Sequence, residues 1–387
     1  MRLLYIIGSL ERGGSEQHLF HVTSALQARG HQPVLFAIIP NGPLAAEFKA
    51  NGVQVVGISM PAWVKKLIRH KRAIAYLGLV QSAVFLLWQM WKLRPDAVHF
   101  FLPQSYLMGG LVSFFGPRMQ RIMSRRSLNN YQADFPFFRR IELWLHQHMD
   151  VICGNSQAVI ADLRQEGVRE YQLRLIYNGI DMDRFDNLSP ASFVRSELGV
   201  VNETLVFVIV ANLISYKGHL DLIAAFGLIG NDLVQPWVCW CIGRDDGIGG
   251  ALKAQCEALG LDKQILFLGS RSDVPDLMSS ADIGILCSHQ EGFSNAVLEG
   301  MAAGLPMVVT DVGGNAEAVI DGQNGLVVPP NAPDALAAAL LRMANDPNRR
   351  LMGETGRERV KNFFSMQICI NAYEDLYIKH GADIHNV

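Results

Sequence analysis

Short apolar runs alternating with amphipathic helical stretches run through this chain, and that rhythm restricts the fold more than any other feature of the sequence. RLLYIIG is followed by SEQHLFHVTSALQARG and then by PVLFAII, and DAVHFF comes after a long helical stretch. A strand that is apolar throughout must be covered on both faces, and a helix between successive strands carries the chain back across a parallel sheet. The rhythm breaks at a Pro-containing stretch near Asn187–Pro190. It restarts with LVFVIVAN, a helix from about His219, WVCWCIG, ILFLG, IGILCS, PMVVT and LVVP. The chain therefore reads as two doubly wound α/β domains joined by a short linker. Strand ends, loops and helix N-termini of both sheets are expected to face a cleft, the place where open α/β sheets bind ligands.

Length and composition agree with two large cores. The 387 residues exceed the usual size of one domain, and 50% hydrophobic against 18% charged residues excludes a disordered chain. The net charge of −2 conceals an asymmetry: residues 1–185 hold 21 Lys and Arg against 12 Asp and Glu, a net +9, leaving −11 for the remainder.

The six cysteines form no C-x-x-C pair and lie mostly in apolar runs, which implies buried thiols in a reducing, cytoplasmic setting. Cys239 and Cys241 alternate within one strand and should share a face of the sheet. MRLLYIIGSL runs directly into a glycine loop and reads as a first strand, so secretion is not expected. The stretch 73–91 is apolar enough to resemble a membrane span, but it contains Gln81, Ser82 and Gln89 and leads into a proline. A buried or interfacial helix is the expectation.

Gly13 and Gly14 occupy the loop after the first strand, where a missing β-carbon allows close backbone approach and a helix N-terminus favours an anion. Neither G-x-G-x-x-G nor a P-loop appears, so the common dinucleotide and nucleoside-triphosphate fingerprints are unsupported. In the second half, LVFVIVAN leads through LISYKGH into a helix beginning near Leu220, which puts Lys217 and the Gly218 amide at a helix start, suited to a diphosphate. Richest in chemistry is Ser288–Thr310, SHQEGFSNAVLEGMAAGLPMVVT. There a strand ends in Glu291-Gly292-Phe293, and Ser294 or Asn295 can cap the next helix. Glu299 lies one turn inside it. Two carboxylates so placed can each accept hydroxyl hydrogen bonds, one from a ribose and one from a sugar ring.

With these segments in hand, the chain resembles the retaining, nucleotide-sugar-dependent glycosyltransferases of the "group 1" family, family four, which have the GT-B fold of two Rossmann-like domains. The resemblance rests on SLERGGSEQH, RPDAVHF, GNSQAV, IYNGIDMDRF, ANLISYKGH, CIGRDD, FLGSRSDV and, most specifically, SSADIGILCSHQEGFSNAVLEGMAAGLPMVVTDVGGNAEAV. It implies an acceptor-binding domain over 1–184, a nucleotide-sugar-binding domain over 185–362, and a final segment 363–387 whose helix crosses back to the first. It also implies roles. Glu299 would bind the donor ribose, and Glu291 with the Gly292, Phe293, Ser294 and Asn295 backbone would hold the sugar and its phosphates. Lys217 would neutralise the departing diphosphate, and Gly14 would approach from the first domain.

Two positions depart from the family pattern. Asn212, a candidate donor contact, stands where relatives often carry an arginine, and the segment after RIMS reads MSRRSLNNY where many carry a histidine. Arg125 or Arg126 is a candidate substitute, and His99 a second candidate for a sugar or acceptor contact.

Catalysis would come from stabilising charge on the diphosphate with Lys217 and helix N-termini. No cofactor and no metal are expected, although Asp181-Met182-Asp183 spells D-x-D. With no enzymatic nucleophile evident, front-face attack by the acceptor is implied. The basic, aromatic-rich first half, with KKLIRHKR (65–72), GPRMQRIMSRR (116–126) and FPFFRRIELWLHQH (135–148), points to a saccharide acceptor that is lipid-linked or polyanionic. It also points to an anionic membrane surface on the inner face of the cytoplasmic membrane, and not to nucleic acid. A nucleotide-sugar epimerase of related fold and a non-catalytic sugar- or nucleotide-binding protein are the competing expectations.

Overall fold

A computed structural model describes residues 1–11, 13–59, 71–129, 132 and 135–385, with backbone only at 71–73 and 379–385. KKLIRHKR falls largely outside the described residues. The chain divides into two compact units, Met1–Asn178 with Gln367–Val387, and Gly179–Met366.

The first unit is a parallel sheet of seven strands: β1 (Arg2–Ser9), β2 (Gln32–Ile39), β3 (Gln54–Val56), β4 (Ala97–Phe101), β5 (Gln120–Arg125), β6 (Val151–Gly154) and β7 (Leu173–Leu175), in the order β3-β2-β1-β4-β5-β6-β7. β1 shows why both faces need cover. Leu3, Tyr5 and Ile7 pack with the Gly14–Ala28 helix and with Tyr373 and Tyr377 of the Met366–His385 helix. Leu4 and Ile6 pack on the other face with Leu86, Met90 and Tyr106. The Lys71–Leu93 helix supplies Leu86 and Met90, so it is partly buried, while its outer face is exposed.

The second unit holds β8 (Leu205–Val210), β9 (Trp237–Ile242), β10 (Ile265–Gly269), β11 (Ile283–Leu286), β12 (Met307–Thr310) and β13 (Gly325–Val328), all parallel, in the order β10-β9-β8-β11-β12-β13. Phe226 of the His219–Ile229 helix stacks on Trp237 with ring centres 4.5 Å apart and meets Phe207 edge-on at 5.0 Å, which fixes that helix against β8 and β9. All six cysteines are buried free thiols. Cys239 and Cys241, two residues apart on β9, do share a face of the sheet.

The divisions at 178/179 and 366/367 replace the expected ones at 184/185 and 362/363. The reason lies in backbone pairing. The Ile180 amide donates to Phe364 O at 2.9 Å and the Met366 amide to Ile180 O at 2.8 Å, so the start of the second unit is hydrogen-bonded to its end.

Candidate active site

In each sheet the strand order reverses beside the first strand of the unit, between β1 and β4 and between β8 and β11. Loops leaving neighbouring strands there run to opposite faces and open a crevice at the carboxyl ends. Lys217 follows β8 and Glu291 follows β11, so in the second unit these two side chains stand on either side of that point.

Their approach depends on glycine. Gly218 has φ of 74°, and a β-carbon there would collide with the Cys287 carbonyl oxygen. A short 3-10 turn, Ser215–Lys217, can therefore lie directly against the end of β11. Lys217 Nζ reaches Glu291 Oε1 at 2.6 Å, and Ser288 Oγ donates to the same oxygen at 2.7 Å. Thr310 Oγ1 donates to Ser288 O at 2.6 Å, and the His289 amide donates to Tyr216 O at 2.7 Å. Behind them, Gly313 has φ of 55° and sits where a β-carbon would strike the Glu291 carbonyl, while the Gly314 amide donates to Gly292 O at 2.8 Å. The loop holding Glu291 is thus gripped from β8, β11 and β12.

Ser294 caps the Asn295–Ala302 helix, its Oγ accepting from the Val297 amide at 3.5 Å. That start carries the positive end of the helix dipole. Phe293 is buried with its ring 5.3 Å from Phe364, so its side chain anchors the loop and its backbone is what it can offer a ligand. Glu299 accepts from Arg184 Nη1 at 3.0 Å. Burial pushes the Glu299 carboxyl above its ordinary range, and Arg184 pulls it back part of the way. Asn212 accepts from the Arg244 amide at 3.2 Å and donates to Asp246 Oδ2 at 3.1 Å, pinning the loop after β9.

In the first unit Gly14 opens the Gly14–Ala28 helix, and Glu16 folds its carboxylate back over that helix start against Gly13. Arg126 and Arg125, adjacent in sequence, part company. Arg126 is half-buried, with its Nη1 enclosed and without a hydrogen bond, and its charge acts on Glu16, His18 and His99. Gly14 and Arg126 are thereby brought to one neighbourhood. Arg125 is 2% exposed, pairing with Glu142 and Glu166, each at 2.5 Å. Burial alone would raise Glu166, but His146 and Arg125 hold its carboxyl down to about 2.

The candidacies of Arg125 and His99 as sugar or acceptor contacts are corrected by this burial. His99, also 2% exposed, hydrogen-bonds through Nδ1 to Tyr377 Oη at 2.7 Å and through Nε2 to Ser124 Oγ at 2.8 Å. Burial, assisted by Arg126, lowers its pKa to about 3, so it is neutral. Arg184, Ser288 and Thr310 were not anticipated as parts of the site. Arg184 lies within NGIDMDRF, where the D-x-D spelling drew attention instead; Asp181 there caps a 3-10 turn, accepting from the Asp183 amide at 3.2 Å.

The sequence matches the family described as "Glycosyl transferases group 1" over residues 192–359 and that described as "Glycosyltransferase Family 4" over residues 12–184. It is 28% identical over 231 residues to a UDP-Gal:alpha-D-GlcNAc-diphosphoundecaprenol alpha-1,3-galactosyltransferase of Escherichia coli, a match covering 59% of each chain. It is 23% identical over 327 residues to the capsular polysaccharide biosynthesis glycosyltransferase CapM of Staphylococcus aureus, covering 81% of this chain and 84% of that one. Among solved structures, Anabaena HepE, determined in complex with UDP, superposes with a TM-score of 0.82 at 22% identity, covering 97% of this chain and 99% of that chain. The fold is accordingly GT-B, with two Rossmann-like domains. With the two family matches together spanning most of its length, the chain belongs to the group 1 family of glycosyltransferases.

Proposed function

We propose that this chain transfers a sugar, with retention of anomeric configuration, from a nucleotide-sugar donor to a saccharide acceptor carried on a lipid diphosphate. The pairing of Lys217 with Glu291 at 2.6 Å beside the capped start of the Asn295–Ala302 helix carries the reading. It gathers a cation, a helix N-terminus and a carboxylate at the strand ends of one unit.

In this reading the donor diphosphate takes Lys217 from Glu291, and the released carboxylate accepts hydroxyls of the sugar. Glu299 accepts from the ribose. The anomeric C–O bond to the diphosphate breaks while the acceptor oxygen bonds to the same face of that carbon, and the acceptor proton passes to the departing phosphate oxygen. The negative charge that develops is met by Lys217 and the helix amides, so the reading calls on no metal and no cofactor. The lipid-linked acceptor is supported by the Escherichia coli relative, whose name specifies a diphosphoundecaprenol-linked substrate. A cytoplasmic setting, in the assembly of a cell-surface polysaccharide or lipopolysaccharide, goes with that acceptor.

The test is nucleotide release from UDP-, GDP- and ADP-sugars, with and without a polyprenyl-diphosphate-linked saccharide, followed by NMR of the product. Acceptor-dependent release with the donor's anomeric configuration kept is expected. An inverted product overturns retention. Sugar isomerisation without nucleotide release supports an epimerase, and binding without turnover a non-catalytic protein.

A further inference from the structure

The outer face of the Lys71–Leu93 helix is a continuous apolar stripe. Tyr76, Val80, Val84, Trp88 and Trp91 recur at helical spacing and are all exposed, Val84 at 64%. The stripe continues onto neighbouring elements of the same unit. Trp91 Nε1 donates to Phe115 O at 3.0 Å, and Phe115 is itself 72% exposed. The adjoining Phe114 ring lies 5.2 Å from Trp144 of the Pro136–His146 helix, whose first turn exposes Phe137 and Phe138 beside Arg139 and Arg140. Monomeric proteins rarely leave an aromatic surface of this extent in water.

Cations stand directly on its rings. Lys92 Nζ stands 4.9 Å above the Trp88 ring and the Arg121 guanidinium 5.0 Å above Phe114. Between 74 and 129 and between 135 and 148 the acidic residues are Asp96 and Glu142. Asp96 accepts from the Arg2 amide at 2.7 Å, and Glu142 is buried against Arg125. No unpaired carboxylate among these described residues would repel an anion.

We infer that this face, the Lys71–Leu93 stripe with the Phe114–Phe115 turn and the Pro136–His146 helix, docks in the plane of an anionic lipid bilayer. Residues Ile74–Leu93 are long and apolar enough to cross a membrane. Yet Ser82, Leu86, Gln89 and Met90 are buried toward the unit, so lipid can reach one side of the helix and not surround it. Exposed Trp and Tyr flanked by Lys and Arg are the composition of a headgroup-level contact. A second copy of the chain is a poorer occupant, because a two-fold contact would set like charges against each other. The inference stands apart from the donor chemistry of the second unit.

The test is flotation of the purified chain with vesicles of phosphatidylcholine alone and of phosphatidylcholine mixed with phosphatidylglycerol, at low and high salt. Binding to the mixed vesicles that salt weakens is expected. The double variants Val84→Glu/Trp88→Glu and Arg139→Gln/Arg140→Gln should each lower partitioning about tenfold or more. An unchanged UDP-induced melting shift would show the variants folded. No binding, equal binding to both vesicle types, or a concentration-dependent dimer that Trp88→Glu abolishes would each overturn the inference. Vesicle binding without any nucleotide-sugar response would refute the transferase reading and leave the docking surface intact.

Discussion

Lys217 Nζ lies 2.6 Å from Glu291 Oε1, so the cation suited to a diphosphate and the carboxylate suited to a sugar hold each other when neither is engaged. Each keeps the other in place without a ligand: the lysine neutralises a carboxylate that is 11% exposed, and the carboxylate orients the lysine at the end of β11. Replacing Lys217 by Met should lower the transfer rate by about 100-fold to 1,000-fold, the usual loss when a charge-stabilising donor is removed. Donor KM should change far less. Steady-state nucleotide release distinguishes the two effects, and a rise confined to KM would place Lys217 outside the chemical step.

Glu299 offers a pH handle. Its carboxyl is raised by burial, so the folded protein holds that proton to higher pH than the unfolded chain does. The linked stability is present below the unfolded pKa and is lost as pH rises through the folded one. Donor binding runs the opposite way, because an ionised carboxylate accepts hydroxyl hydrogen bonds more strongly than a protonated one. Affinity should fall as pH drops through the raised pKa, and Glu299→Gln should weaken binding about tenfold while flattening the profile. Arg184→Gln should move the midpoint upward, since Arg184 is what pulls the carboxyl back. Calorimetric titration of the donor across pH checks all three.

Gly218 tests the packing that brings the pair together. Gly218→Ala introduces a β-carbon against the Cys287 carbonyl at a φ of 74°. Backbone strain of about 1–3 kcal/mol should lower the melting temperature, and displacement of the Lys217 turn should cost about 100-fold in transfer. A variant with normal melting and normal rate would remove Gly218 from the account.

Arg125 is a structural cation. Arg125→Met leaves Glu142 and Glu166 buried without it and should destabilise the protein by about 3–5 kcal/mol in urea unfolding. Glu166, held at about 2 against an ordinary 4.5, contributes stability that is complete above pH 4.5 and is lost as pH falls toward 2. The variant should lose part of that acid dependence.

His99 adds a second window. Its folded pKa of about 3 lies below the ordinary 6.5, so its contribution is full above 6.5 and declines as pH falls toward 3. Tyr377→Phe removes the hydroxyl that joins His99 to Tyr5, at 2.7 and 2.9 Å. About 1–3 kcal/mol should be lost, read as a lower melting temperature at pH 7.

The fold was legible because its signal is periodic. Runs such as LLYII and LVFVIVA are apolar at every position, a pattern that suits strands covered on both faces, as β1 and β8 are. The Glu291-to-Glu299 segment was legible because a strand end, a cap and a helix occur in succession, and local order places all three. Arg184 was not, since its partner Glu299 is remote in sequence and no spacing rule joins them. Arg125 and Arg126 looked interchangeable as letters. Arg125 is the last residue of β5 and Arg126 the first beyond it, and tertiary neighbours separate them: Arg125 is enclosed in an ion-paired interior, while the charge of Arg126 acts on Glu16 in the first turn of the Gly14–Ala28 helix.

By itself, then, the sequence determined the class of fold, two doubly wound sheets, and the helix starts that can meet an anion, because these follow from side-chain periodicity and local caps. The tertiary structure decided which charges remain available. Desolvation and pairing depend on neighbours brought from distant parts of the chain, and they neutralised His99, enclosed Arg125, joined Lys217 to Glu291 and left the Lys71–Leu93 stripe uncovered.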